Sequence, residues 1–120
     1  MIKATILVEE LNNKKYDELL NDIYVDTNLL DYQRERYVKA INKYVSLYGD
    51  TDVEIYSAPG RSEVGGNHTD HQHGCVLAAA VNLDAIAVVG RVDNKIKVLS
   101  DDFDIAPINL EDLEIKKAEE

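Results

Sequence analysis

Apolar positions in the first half of the chain recur with helical spacing, and after Asp50 the period switches to alternation. Over 29–48, Leu30, Tyr37, Ile41, Tyr44, Val45 and Tyr48 return at intervals of three, four and seven, which places them on one stripe of a helix. Asn28 or Thr27 can cap its start, and Gly49 supplies the left-handed position on which helices commonly end. Leu19, Leu20 and Ile23 predict a shorter helix over 14–23, and 3–11 carries a weaker helical pattern. The tyrosine stripe reads as core rather than as a stacking platform for bases or sugars.

Beyond Asp50, Val53, Ile55 and Ser57 alternate with Asp52, Glu54 and Tyr56, a strand running into Ala58-Pro59-Gly60. The alanine-rich run Val76 to Val81 is too short for its period to decide, and a strand is expected there. Residues 84–92 form an apolar β-rich run, Asp93-Asn94 suits a two-residue turn, and Lys95 to Ser100 alternates again. That pattern predicts a β-hairpin of 84–92 with 95–100. Helices and hairpins without regular βαβ alternation give an α+β class with a mostly antiparallel sheet. The expected organisation is 1–50 mainly helical, 51–100 strands, and 101–120 an acidic tail.

Composition narrows the function. At 120 residues the chain is one domain's worth, and 45% apolar with 30% charged residues reads as globular. No apolar run reaches membrane-spanning length, and the first residues lack the pattern of a signal peptide, so a cytoplasmic protein without a membrane partner is expected. The formal charge of −10 repels phosphate backbones and argues against nucleic acid. Eight acids against two lysines lie in 101–120, which predicts a solvated surface or a fraying terminus. The single cysteine, Cys75, borders an apolar run and is expected to be a small buried residue.

Chemistry concentrates in residues 57–77. All three histidines and four of the six glycines fall between Gly60 and Gly74, whereas all seven tyrosines lie at or before Tyr56. A strand feeding a glycine-rich loop with an arginine, an asparagine, histidines, an aspartate and a threonine offers donors and acceptors of several kinds. Such a mixture suits a ligand dense in hydroxyl groups. A phosphate-cradling P-loop is excluded, because Gly66-Asn67 follows Gly60 and Gly65 where Lys-Ser/Thr is required. His68, Asp70, His71, His73 and Cys75 are candidate metal ligands, but zinc needs three or four groups converging at about 2.0–2.3 Å. Convergence of more than two from one short loop is difficult, so no metal site is assigned and surface or hydrogen-bonded histidines are expected at His71 and His73.

The same stretch resembles the first signature motif of the galactokinase branch of the GHMP kinases, approximately A-P-G-R-x-N-x-x-G-E-H-T-D-Y-x-x-G-x-V-L. Ala58, Pro59, Gly60, Arg61, Gly66, His68, Thr69, Asp70, Gly74, Val76 and Leu77 match it in order and without gaps. The close resemblance covers about 57–82 and a looser one about 28–100. It implies the N-terminal part of a GHMP kinase fold, like the second domain of ribosomal protein S5, and a sugar 1-kinase using ATP and Mg2+. It implies that Arg61 is the active-site arginine and that Asn67, His68 and Asp70 bind the sugar. Asp70 would accept from ring hydroxyls, and His68 would contribute near the exocyclic end.

The departures carry their own expectations. Glu63 stands where the family has asparagine, Val64-Gly65 where it has two aliphatics, Asn67 where it has glutamate, and His71 where it has tyrosine. Asn67 is shorter and neutral and adds two donors, which predicts either a sugar other than galactose or a rearranged hydrogen-bond network. A non-catalytic sugar-binding or regulatory protein on the same scaffold is the alternative. The family's catalytic base and its Gly/Ser-rich phosphate loop lie after this motif. With serines only at 46, 57, 62 and 100, no such loop occurs here. The chain is therefore expected to be the N-terminal piece of a longer kinase, inactive alone. A piece with an uncovered sheet edge or apolar face carries a risk of self-association.

Overall fold

Ala4, Leu7 and Leu11, spaced by three and four residues, share one helical face, and their burial fixes the first helix against the rest of the chain. The computed structural model describes residues 1–66, 72–100 and 103–111. A two-residue strand, β1 (Ile2–Lys3), leads directly into helix α1 (Ala4–Asn12). The second helix, α2 (Asp17–Tyr24), begins with Asp17 and Glu18, whose charges complement the positive end of the helix dipole. A single 3-10 turn, Thr27–Leu29, precedes the long helix α3 (Leu30–Tyr48). The side chain capping this entry belongs to Asp26, which accepts from the Asn28 amide, rather than to Asn28 or Thr27.

The stripe on α3 packs as its spacing predicts. Tyr37 and Ile41 are buried, and Leu30, Tyr44 and Val45 pack around them partly buried. Gln33 joins the buried face one turn before Tyr37. Between α2 and α3, the Arg34 guanidinium grips both carboxylate oxygens of Asp17 at 2.9 and 2.8 Å. Gly49 ends α3 with φ 81°.

The sheet of this unit has the order β1-β2-β3, all antiparallel, with β2 spanning Asp52–Gly65 and β3 spanning Leu77–Gly90. Val53 and Ile55 on β2, with Ile86 and Val88 on β3, turn toward the helices and close a two-layer core with Leu7, Leu11, Leu20, Tyr24 and Ile41. The opposite face, including Tyr56 and Val89, is exposed.

Two sequence expectations are corrected here. The run 84–92 does not form a hairpin with 95–100. Residues 84–90 are instead the second half of β3, paired with β2 from Val53↔Gly90 to Pro59↔Asp84. That ladder sets Ile86 and Val88 on the helix-covered face beside Ile55 and Val53, a burial that a six-residue hairpin partner does not offer. Strand β4 (Lys95–Ser100) instead pairs antiparallel with β5 (Phe103–Asn109), so part of the acid-rich 101–120 segment is strand. Asp93-Asn94 is a bend between β3 and β4 rather than a two-residue hairpin turn, with Asn94 left-handed at φ 55°. Cys75 is exposed, because it precedes the first paired residue of β3 and never enters the core. The chain divides into two compact units, Met1–Gly90 and Arg91–Glu120. The first is α+β, and the described part of the second is the β4–β5 hairpin.

Candidate functional site

The predicted site stretch starts on β2, whose strand continues past Ala58-Pro59-Gly60 to Gly65. Up to Pro59↔Asp84 the two long strands stay in one register, and beyond it Arg61 pairs with Ala80. Gly60 alone on β2 thus faces Val81, Asn82 and Leu83 on β3. Such irregularities bend a ladder locally and re-aim the side chains that follow. A Cβ on Gly60 would meet the Leu83 carbonyl oxygen at 3.1 Å and Val81 Cγ2 at 3.2 Å. The missing side chain is what lets the three β3 residues close over this point.

Beneath the irregularity lies a buried polar cluster. The Asp84 side chain is only 3% exposed. One of its oxygens accepts from Arg36 Nη1 at 2.6 Å, and the other accepts from the Tyr24 hydroxyl at 2.7 Å and from the Ser57 hydroxyl. Arg36 also donates to the Asp84 carbonyl at 2.7 Å and to Gln33 Oε1 at 3.0 Å. The Tyr24 hydrogen is committed to Asp84, so Tyr37, 2.9 Å away, donates to the Tyr24 oxygen. Five side chains from α2, α3 and β2 thus satisfy one carboxylate or one another, as a buried charge requires.

The electrostatics agree with the geometry. Burial alone pushes the Asp84 carboxyl up, but hydrogen bonds from Ser57, Tyr24 and Arg36, together with the Arg36 charge, outweigh it. The net result holds Asp84 below the usual carboxylate range. Burial, followed by the hydrogen bonds to Tyr37 and Asp84, pushes the Tyr24 hydroxyl well up, so it remains a donor.

Arg61 emerges immediately past this anchored point and is exposed. Among the described residues its guanidinium has no ion-pair or hydrogen-bond partner. An exposed, permanently charged fork of donors is suited to a phosphate or a carboxylate. Asn67, His68 and Asp70, the other expected site residues, lie outside the described residues, as does His71. His73 and Cys75 are both exposed, and among the described residues no group of three candidate metal ligands occurs. At Gly66 the backbone has φ 114°, and a Cβ would lie 2.7 Å from the Cys75 carbonyl oxygen, so glycine is required on both counts.

An open cleft of about 570 Å³ overlies the irregularity, lined by Tyr24, Ser57, Pro59, Ala80, Asn82 and Asp84 among others. A larger groove, about 640 Å³, runs between α1, α2 and β2 and is mainly apolar, with Leu7, Leu11, Leu20, Tyr37 and Val53 in its wall. It touches the motif stretch only at Ser57, and apolar walls do not match a hydroxyl-rich ligand. The smaller cleft is the one placed beside the motif.

Sequence reading missed Asp84 and Arg36. The available signal was charge: Asp84 is the one ionisable residue in β3, a lone carboxylate in an apolar strand. Its partners come from 27 to 60 positions away, and spacing does not reveal them.

Comparison with known proteins places this geometry in context. Residues 42–91 match the family model described as the galactokinase galactose-binding signature. The galactokinase of Enterococcus faecalis is 38% identical over 77 residues, which is 61% of this chain and 20% of that protein. Those of Lactococcus lactis subsp. cremoris and Streptomyces coelicolor are 34% identical over 82 residues and 36% identical over 69. These alignments cover 64% and 57% of this chain and 21% and 18% of the relatives. The chain therefore spans about a fifth of the length of the curated relatives it matches. No solved structure matches significantly. The matched interval holds the end of α3, the whole β2–β3 ladder, Gly60, Arg61 and Asp84, and over this part the chain is similar to the galactokinases.

Proposed function

We propose that this chain supplies the sugar-binding portion of a galactokinase-like enzyme that transfers the γ-phosphate of MgATP to the anomeric hydroxyl of galactose or a related monosaccharide. The observation that carries the reading is the galactose-binding signature over 42–91 with Arg61 exposed on its strand. In this reading Arg61 is catalytic. Its fixed charge holds a nearby carboxylate base ionised and stabilises negative charge on the moving phosphoryl group. Asn67, His68 and Asp70 bind the sugar, Asp70 accepting from ring hydroxyls. The fold is that of the N-terminal part of a GHMP kinase, the compartment is the cytoplasm, and the catalytic base and the nucleotide loop lie in sequence outside this chain. An uncovered sheet edge leaves the isolated chain prone to self-association.

The test is ADP release by the full natural protein with ATP, magnesium and a panel of free sugars that includes galactose and its epimers. Turnover with galactose, abolished to below a hundredth by Arg61→Ala, is the expected result. Turnover with another sugar alone keeps the kinase chemistry and makes Asn67 and Glu63 the first residues to test for the altered preference. A folded protein that releases no ADP with any sugar sinks the proposal. The departures at Glu63, Asn67 and His71 favour one second reading, a non-catalytic sugar-binding or regulatory protein. Saturable sugar binding without ATP turnover distinguishes it.

A further inference from the structure

Arg61 is attached to the fold through one irregular point, and that point is held from a single side. On β2, Pro59 is the last residue in register with β3 before Gly60 and Arg61, and its partner is Asp84. Asp84 is fixed by both strands and by both adjoining helices: Ser57 two residues before Pro59, Tyr24 at the end of α2, and Arg36 on α3. Arg36 holds the carboxylate and the main-chain carbonyl of Asp84 together, so the side chain and the strand backbone are gripped at once. Past Pro59 the ladder is less covered, because the residues of β2 from Arg61 to Gly65, half-buried Glu63 excepted, and those of β3 from Leu77 to Ala80 are exposed. A register change with helix-anchored residues on one side and a mostly solvent-exposed ribbon on the other takes its direction from the anchored side.

We propose that Asp84, clamped by Arg36 and Tyr24, is a positioning residue for Arg61, setting the direction in which the β2–β3 ribbon leaves the helical layer. The proposal rests on the kinase reading only for its catalytic consequence; the structural claim stands without it. Arg61 acts on charge that develops during transfer, and the sugar is held by residues after Gly66. Releasing the clamp therefore lowers kcat while leaving sugar KM nearly unchanged. A general loss of folding would instead reduce the active fraction without that specific local signature.

The experiment compares Asp84→Asn, Arg36→Lys and Asp17→Asn in the full natural protein. Asp17→Asn breaks the Arg34–Asp17 ion pair, which lies between α2 and α3 away from β2, and serves as the control for loss of stability alone. Steady-state kinetics are measured with the accepted sugar, and hydrogen exchange is followed at the amides of 58–63. Expected are a kcat at least tenfold lower in Asp84→Asn with KM within threefold, a smaller loss in Arg36→Lys, and amide exchange at 58–63 at least tenfold faster in both. Asp17→Asn should change neither. Exchange at 58–63 as slow in the folded Arg36→Lys and Asp84→Asn proteins as in the unaltered one overturns the proposal. So does a kcat loss matched by Asp17→Asn at equal loss of melting temperature. An unaltered protein without sugar turnover refutes the kinase reading instead, and the exchange rates still decide whether the clamp orders the Arg61 segment.

Discussion

Gly60 and Gly65 sit five residues apart on one strand and face different demands. A Cβ at Gly60 presses on a main-chain carbonyl and a buried-side valine methyl, at 3.1 and 3.2 Å, whereas at Gly65 nothing lies within 4 Å. Replacing glycine by alanine also stiffens the unfolded chain, which stabilises by about 0.4–1 kcal/mol where the native backbone accepts it. At Gly65 that term acts nearly alone, so Gly65→Ala should be neutral or slightly stabilising. At Gly60 the crowding opposes it, and overpacking costs about 1–3 kcal/mol. Gly60→Ala should therefore destabilise by about 1–2 kcal/mol. Urea unfolding of the two variants beside the unaltered chain checks both signs, and equal midpoints would show that the ribbon yields without cost. Gly60 thus has a packing role, separate from any contact with a ligand.

At the scale of elements, the ends of helices depend on residues remote in sequence. Lys3 precedes α1 and offers it no side-chain cap. Asp50, after α3, accepts from the Thr5 amide at 3.0 Å and from the Thr5 hydroxyl at 3.0 Å, satisfying one of the free donors at that helix start. Those bonds, the Thr5 amide first, hold the Asp50 carboxyl below its usual range. Asp50→Ala should speed exchange of the first-turn amides of α1 by several-fold while leaving those of α3 slow; uniform exchange would remove Asp50 as the cap. The helical period of α3 was legible because Tyr37 and Ile41 face one core over nineteen residues. The partner of 84–92 was not, because both β2 and β4 offer alternating strands and only the helix layer decides between them. The motif singles out Arg61 as a candidate, whereas Asp84, Arg36 and Tyr24 meet only through the tertiary fold.

For the whole molecule, acid is the condition that reaches the link between layers. Asp84 joins both helices to both long strands, and its carboxyl is held below its unfolded value. A carboxyl lowered by folding stabilises the native state above the unfolded value, near pH 4, and that contribution disappears as pH falls through the lower folded value. Above about pH 5 the group is ionised in both states and its contribution is constant. Removing one member of a buried pair costs about 3–5 kcal/mol, and the quarter-exposed Arg36 side chain keeps the effect at the low end. The stability difference between the unaltered chain and Asp84→Asn should therefore be about 3 kcal/mol and flat from pH 5 to 7, then shrink steadily below pH 4. Asp50, also lowered, is present in both proteins and cancels from the difference. Denaturant unfolding of the pair across pH 2.5–7 measures it directly. A difference that stays constant down to the acid limit would mean that the Asp84 charge contributes nothing and that shape alone holds the clamp.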